Sequence, residues 1–341
     1  MTFPFFAALF FRREKPLAFG GAFGYNPAID NSGPLHAARR QERMELMSEL
    51  LEKVKRLEIM LDTDRIIAGE RNSAKDIQSY FKINRLAYRR FHSREGFMHF
   101  RVSRDGAFSD DDIYYQPETV SARIPPHSRV LELGSGQGAN LLYLAERHPD
   151  SYFCGVDLSP APLKRPPRNL RVLRRDYSNL SNFPDNAFDV AYGIETIVYS
   201  SQKDKVFSEV YRVLKPGGAF IVYDYALSRR YADFDPLTQK AIALISKGGA
   251  AALIESAEEW ERYFTSNSFR FENVTDLSAE TLPDLKRLAH KAGRILNHPG
   301  RTKAAFRILP RQFTNNIILG YLGYDSCRED VVRYQEWIAR K

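Results

Sequence analysis

Residues 129–160 read RVLELGSGQGANLLYLAERHPDSYFCGVDLSP. An apolar run (Val130 to Leu133) gives way to three spaced glycines (Gly134, Gly136, Gly138). A helical pattern follows from Ala139 to Arg147, and a second apolar run from Tyr152 to Val156 ends on Asp157. Strand, tight turn, helix and strand in that order predict the first half of a doubly wound α/β domain. The glycines suit a chain that turns from strand to helix close against a ligand, because such a turn needs positive φ and no Cβ. Asp157, at the end of the second strand, can accept hydrogen bonds from two ribose hydroxyls. Two ligands fit this geometry, a dinucleotide and S-adenosylmethionine.

Continuing towards the C-terminus, the doubly wound pattern keeps going with one interruption. Residues 159–169, SPAPLKRPPRN, carry Pro160, Pro162, Pro166 and Pro167 where the fold should have a helix. Prolines at that density allow no more than about one helical turn, so the second helix is expected to be degenerate or missing. LRVLRRDY, ending in Asp176 and Tyr177, reads as a third strand, FDVAYGIET as a fourth and AFIVYDYA as a fifth. Between the last two lies a helix from Gln202 to Leu214, with Val206, Phe207, Val210 and Val213 on one face and the KPGG of 215–218 as its stop. Beyond Ala226, residues 236–247, 256–265 and 280–297 read as helices and FRFENVTDL as a sixth strand. The closing segment, with Val331, Val332, Tyr334, Trp337 and Ile338 spaced as on one helix face, reads as an amphipathic helical tail.

On the N-terminal side, residues 1–35 read as a flexible tail. TFPFFAALFF is too short to span a bilayer, and its Arg12, Arg13 and Lys15 follow the apolar run where a secretory signal has them before it. A weak membrane or partner anchor and a packed tail both fit. From 36 to 62, Met44, Met47, Leu51, Val54, Leu57 and Leu61 form a narrow stripe that can pair two copies of the chain or fold back on the core. Residues 73–120 add a helix with Ile77, Tyr80, Phe81 and Leu86, then FHSREGFMHF, which is too aromatic for a solvent loop and could form a lid. The expected organisation is a tail (1–35), a helical lid and substrate region (36–120), a cofactor-binding core (121–226), and cap helices, last strands and a helical tail (227–341).

Composition narrows the partners. The chain of 341 residues is 43% hydrophobic and 13% aromatic, with 23 Phe and 18 Tyr, so either a ring-lined pocket or an aromatic-rich core is expected. A net charge of +8 and a pI near 9.3 favour an anionic partner such as a diphosphate, a membrane surface or nucleic acid, though solubility alone also explains them. Lys164, Arg165, Arg168, Arg171, Arg174 and Arg175 could collect phosphates or form a solvated surface. Cys154 and Cys327 give neither a disulfide framework nor metal-ligand spacing, and the histidines are scattered. No metal and a cytoplasmic setting are therefore expected.

In a doubly wound sheet, ligands lie at the carboxyl ends of the strands. That edge collects the glycine turn to Asn140, then Asp157, Asp176, Gly193 to Thr196, and Asp224 with Tyr225. Asp176 can receive an adenine amine or cap a helix. Glu195 follows an apolar strand at the place where chemistry is expected; it can steady positive charge and take a proton, or bind a backbone amide.

With Glu132 inside the strand end, E-L-G-S-G-Q-G resembles motif I of class I S-adenosylmethionine-dependent methyltransferases rather than the dinucleotide fingerprint. That turn, the V-D-L-S strand end, I-E-T at 194–196, Y-R-V-L-K-P-G-G from Tyr211 and V-Y-D-Y together resemble sterol C-methyltransferases and, more loosely, prenyl diphosphate C-methyltransferases, over about 80–271. The proline-rich replacement of the second helix and a C-terminal tail with no matching strand pair depart from that pattern.

The resemblance implies a Rossmann-like fold and S-adenosyl-L-methionine held by Glu132, Gly134, Ser135, Gly136, Gly138, Asn140, Asp157, Leu158, Asp176, Tyr177 and Ile194. Glu195 and His99 are the implied catalytic groups. Tyr88, Phe100, Tyr199 and Tyr225 are the implied substrate-lining rings. The implied reaction is methylation of an alkene carbon in a small hydrophobic isoprenoid, with or without a diphosphate. The substrate carbocation would be steadied by aromatic faces worth roughly 0.5 to 2 kcal/mol each, and Glu195 would take the proton. An N-methyltransferase of a small amine such as a phosphobase, and a scaffold that only senses the cofactor, are the rival readings. Nucleic acid is not expected, because strand four ends in G-I-E-T and not in an N-P-P-Y type of motif.

Overall fold

The structure, a computed structural model, describes residues 49–68, 74–251 and 253–341. Seven strands form one sheet: β1 (Arg129–Leu133), β2 (Tyr152–Asp157), β3 (Leu170–Arg174), β4 (Phe188–Ile194), β5 (Leu214–Leu227), β6 (Arg270–Asp276) and β7 (Val332–Arg340), in the order 3-2-1-4-5-7-6. β1 to β5 run parallel, and β7 is antiparallel to both its neighbours. Val130 sits between Phe153 of β2 and Val190 of β4, so the order reverses at β1 and opens a crevice at the carboxyl edge there.

The helices are α1 (49–60), α2 (Thr63–Ala68), α3 (Ala74–Phe91), α4 (Tyr115–Ser121), α5 (Ala139–Arg147), α6 (Lys203–Val213), α7 (Pro236–Gly248), α8 (Ala257–Ser266), α9 (Ser278–Leu296), α10 (Pro299–Ile308) and α11 (Arg311–Arg328). Local chemistry sets their starts. Asp235 caps α7 with Pro236 in its first turn, and Ser256 with Glu259 makes a reciprocal capping box on α8. Apolar residues fill both faces of the sheet. Leu131, Leu133, Val156, Phe207 and Phe220 lie in one core, and Val130, Leu141, Leu144, Phe153 and Tyr192 in the other. No helix separates β2 from β3, as the prolines require; instead the Ala161 amide bonds back to the Gly136 carbonyl at 2.9 Å.

The closing segment corrects the sequence expectation. Residues 332–340 are not a helical tail but strand β7, inserted between β5 and β6. An interior strand is buried on both faces, so its apolar residues need not alternate, and here they mimic a helical stripe. Trp337 stacks on Trp260 of α8, with centroids 5.0 Å apart.

The described part of the 36–62 stripe, α1, folds back on its own chain. Leu50, Val54 and Leu57 are buried, Lys53 pairs with Asp325 of α11, and the Leu50 amide bonds Glu329 at 3.2 Å. The stripe positions Val54 and Leu57 are therefore not free to pair two copies. The expected tail (1–35), its proposed anchor and residues 36–48 lie outside the described residues. No helix among the described residues is long and apolar enough to cross a membrane.

Candidate active site

A cavity of about 1080 Å³ opens at the carboxyl edge of the sheet and continues under α3, α7, α9 and α11. Its first part is built by the strand ends. Gly134 has φ +69°, and a Cβ there would lie 1.8 Å from Thr196 Oγ1, so the turn closes only with glycine. The Asp157 carboxylate accepts from the Gly136 amide at 2.9 Å and from the Ser159 amide at 2.6 Å, which locks its orientation towards the turn. Asp176 accepts from the Ser178 amide at 2.8 Å and still lines the cavity, so its turn-capping and ligand-facing roles coexist. Ser135, Asn140, Leu158, Tyr177 and Ile194 line the same region.

Two buried polar atoms of this turn, Ser135 Oγ and Gln137 Nε2, have no hydrogen-bond partner, and Glu132 lies behind them beside the Tyr192 hydroxyl. Buried polar groups are rarely left so, and the cluster matches the amino-acid end of S-adenosylmethionine. Asp157 suits its ribose and Asp176 its adenine. The residues present therefore fit that cofactor.

Two expected contacts are placed differently. Gly138 does not line the cavity. It starts α5 at φ +76°, and a Cβ there would meet Leu163 Cδ2 at 2.5 Å, so its role is close packing. Glu132 is buried behind the wall, where Asn140 Nδ2 donates to its Oε1 at 3.3 Å. Burial pushes its carboxyl up to about 8 against the pull of Asn140, with Asp157 adding to the rise.

The second part of the cavity is a chamber with apolar walls, including Phe81 of α3, Ile245 of α7, Leu285 and Ile295 of α9, and Ile317 of α11. Three of its hydroxyls are already engaged with backbone. Thr281 donates to Ser278 O at 2.9 Å, Ser246 to Ile242 O at 2.8 Å and Ser326 to Gly323 O at 2.9 Å. Asn316 bonds the hydroxyls of Tyr80 and Tyr88, which lie 3.0 Å from each other. The basic run contributes nothing here: none of Lys164, Arg165, Arg168, Arg171, Arg174 and Arg175 lines the cavity, and Arg174 Nε donates to Leu158 O at 3.0 Å. The exposed cations that do line it are Lys75, Lys82 and Arg85 of α3.

Glu195 stands between the two parts. Its φ of +50° is the left-handed region, disfavoured for a side chain with a Cβ, and its amide is fixed to Tyr223 O at 2.7 Å. Its carboxylate accepts from the Phe100 amide at 2.6 Å and from the Tyr225 hydroxyl, with the Tyr334 hydroxyl alongside. Burial pushes the Glu195 carboxyl up to about 8, while those donors pull it down. Burial also keeps the Tyr225 phenol protonated, so it remains a donor. Asp224 is buried beneath the loop, where it accepts from the Val198 amide at 2.9 Å; burial pushes it up to about 7.

Rings surround the acid. Phe100 and Tyr225 meet edge to face at 5.7 Å, as do Phe81 and Tyr199 at 5.4 Å, and Tyr225 and Tyr334 lie tilted at 5.5 Å. Tyr88, Phe100, Tyr199 and Tyr225 all line the cavity, as their motifs imply. His99 lines it too, but both its ring nitrogens are engaged, Nδ1 with Phe100 O and Nε2 with Asn140 Oδ1, each at 3.1 Å. Burial pushes its imidazole down to about 4. Two residues escaped the sequence reading: Tyr334, from the misread strand β7, and Gln116 of α4, which donates to Phe100 O at 2.7 Å and to the Tyr334 hydroxyl at 3.1 Å. Among the described residues no group of three or more His, Cys, Asp or Glu converges as metal ligands.

Residues 131–222 match the methyltransferase domain family. The fold is that of the class I methyltransferases. A sterol 24-C-methyltransferase of Yarrowia lipolytica is 28% identical over 166 residues, 46% of this chain and 43% of that protein. The chain spans less than half the length of the curated relatives it matches. Among solved structures, a geranyl diphosphate methyltransferase in complex with GPP and sinefungin aligns with a TM-score of 0.60 at 17% identity, covering 78% of this chain and 98% of that one. A (4+2)-cyclase aligns with a TM-score of 0.59 at 19% identity, covering 79% and 96%. Likeness at that level shows the shared fold, and a fold hosts more than one reaction, so the chemistry must be argued from the site.

Proposed function

We propose that the chain is an S-adenosylmethionine-dependent C-methyltransferase acting on an alkene carbon of an isoprenoid, terpenoid or sterol-like substrate. The observation that carries this reading is the single carboxylate, Glu195, set between the glycine turn and a large apolar chamber edged with rings. S-adenosylmethionine, when bound, supplies an electrophilic methyl group on a sulfonium. The glycine turn, Asp157 and Asp176 bind and orient it, and α9 and α11 exclude water from the substrate.

Methylating an alkene carbon leaves positive charge on the neighbouring carbon, and the side chains here suit that charge. Faces of Phe100 and Tyr225 can steady a desolvated cation by roughly 0.5 to 2 kcal/mol each. The Glu195 carboxylate adds a stronger attraction in a dry site and accepts the proton whose loss restores a double bond. Its ionised form, which the positive charge of the bound sulfonium favours, is held in place by the Phe100 and Tyr225 donors. A chamber walled by Phe81, Ile245, Leu285, Ile295 and Ile317, with the Thr281, Ser246 and Ser326 hydroxyls turned to backbone, favours a hydrocarbon skeleton over a small polar amine. A charged head group, if the substrate has one, would meet Lys75, Lys82 and Arg85 at the rim.

The test is incubation with methyl-labelled cofactor and a panel of sterols, neutral terpenoids, prenyl diphosphates and amines. Label is expected on carbon of an isoprenoid. Label on amine nitrogen alone overturns the proposal.

A further inference from the structure

The engaged ring of His99 poses a hydrogen-bonding problem. Nδ1 faces the Phe100 carbonyl and Nε2 faces Asn140 Oδ1, each at 3.1 Å, so both nitrogens point at acceptors. The ring is buried and neutral, which leaves one N–H for two acceptors. Turning the Asn140 amide over lets its NH₂ donate to Nε2, but then its oxygen faces Glu132 Oε1, now 3.3 Å from Nδ2. That arrangement is satisfied only when Glu132 carries a proton.

Two self-consistent states follow. In the first, Glu132 is protonated and donates to Asn140, Asn140 donates to His99 Nε2, and His99 Nδ1–H donates to Phe100 O. In the second, Glu132 is ionised and accepts from Asn140, the amide oxygen accepts from His99 Nε2–H, and Nδ1 has no proton for Phe100 O. The chain ends at the Phe100 carbonyl, on the same residue whose amide, one peptide earlier, holds Glu195 at 2.6 Å, while Gln116 holds that carbonyl in either state.

We propose that Glu132, Asn140 and His99 form a tautomer switch that registers a cationic amino group at the glycine turn and relays it to the 99–100 segment above Glu195. This rests on the reading that S-adenosylmethionine binds there. Glu132 is the sensor because a bound ammonium favours its ionised form. The proton it loses goes to solvent, while His99 moves its own proton from Nδ1 to Nε2. His99 is then a positioning residue, not a base. The groups facing the relay are Asp157 and the Tyr192 hydroxyl near Glu132, and His92 and Arg101 near His99. Burial, with a smaller push from Asp157, raises Glu132, so in the free protein the protonated state prevails below about pH 8.

S-adenosylhomocysteine, which keeps the amino-acid end, is the probe. Titration calorimetry at pH 7 in two buffers of different ionisation enthalpy should show release of nearly one proton per complex, since about 90% of Glu132 is protonated one unit below its pKa. In Glu132→Gln, binding should survive in weakened form and the proton release should disappear. Independently, nitrogen-15 NMR of the unaltered chain should show the His99 proton move from Nδ1 to Nε2 on binding. Binding without proton release, or with the His99 tautomer unchanged, overturns the switch. Absence of any binding instead overturns the cofactor reading, so the two failures are distinguishable.

Discussion

Glu195→Gln tests the central acid without knowledge of the substrate. Its carboxyl is pushed up to about 8 in the fold, against 4.5 for the free side chain. An acid whose folded pKa is raised favours folding when protonated. Its contribution is fully present below the unfolded value and is lost as pH rises from 4.5 through 8. Integrating proton uptake between those values gives a loss of about 1 kcal/mol by pH 5, about 3 kcal/mol by pH 7 and about 5 kcal/mol above pH 8. Glutamine does not ionise, so the variant escapes this loss. Glu132 titrates upward as well, but equally in both proteins, and cancels in the difference; Asp224, which repels Glu195, rises less in the variant and so adds to the same slope. The amide cannot accept from both the Phe100 N–H and the Tyr225 hydroxyl as a carboxylate does, which adds an offset independent of pH. The diagnostic is therefore the slope. Thermal unfolding from pH 5 to 8 should show the variant gaining on the parent with rising pH, by roughly 2 °C per kcal/mol in a chain of this size. That comes to about 4 °C between pH 5 and 7. The same variant should lose turnover by about 10²- to 10⁴-fold while binding S-adenosylhomocysteine as before. A stability difference that stays flat from pH 5 to 8 would refute the buried, raised acid, and full activity would make Glu195 structural.

Tyr334→Phe removes a hydroxyl that lowers the Glu195 pKa. The acid should titrate higher still, so kcat/KM should fall at pH 7 and recover as pH rises above 9. A uniform loss across the profile would mean that Tyr334 acts by packing alone. Gly134→Ala places a methyl group 1.8 Å from Thr196 Oγ1 at φ +69°. It should cost about 2–5 kcal/mol, from left-handed strain plus overpacking, and abolish S-adenosylhomocysteine binding; denaturant melts and calorimetry check both.

The cofactor half of the site was legible because it is local. Gly134, Asp157, Asp176 and Glu195 each sit at the end of a strand whose apolar run announces it, and the fold alone brings strand ends together. Even the missing helix could be read, since Pro160, Pro162, Pro166 and Pro167 forbid it whatever surrounds them. Gly138 and Glu132 show the limit of that reasoning. Their motif places them at the turn, but whether they face the ligand or Leu163 and Asn140 depends on residues the motif does not contain. The chamber was illegible for a further reason. Leu285, Ile295 and Ile317 have the same helical spacing whether they line a cavity or fill a core, and only the gap between α9 and α11 tells the two apart.

β7 failed at an intermediate scale. Its sequence suits either period, and the choice was made by β5 and β6, which leave a strand-wide gap between them. With that strand misread, the donors around Glu195 could not be foreseen, because Gln116 and Tyr334 are 218 positions apart and meet only when β7 enters the sheet. The proposed catalytic acid can thus be found from its own strand. The groups that set its charge arrive from α4, the 96–101 segment and the last strand, and a substitution in any of them should move the pH at which Glu195 works while leaving the cofactor turn intact.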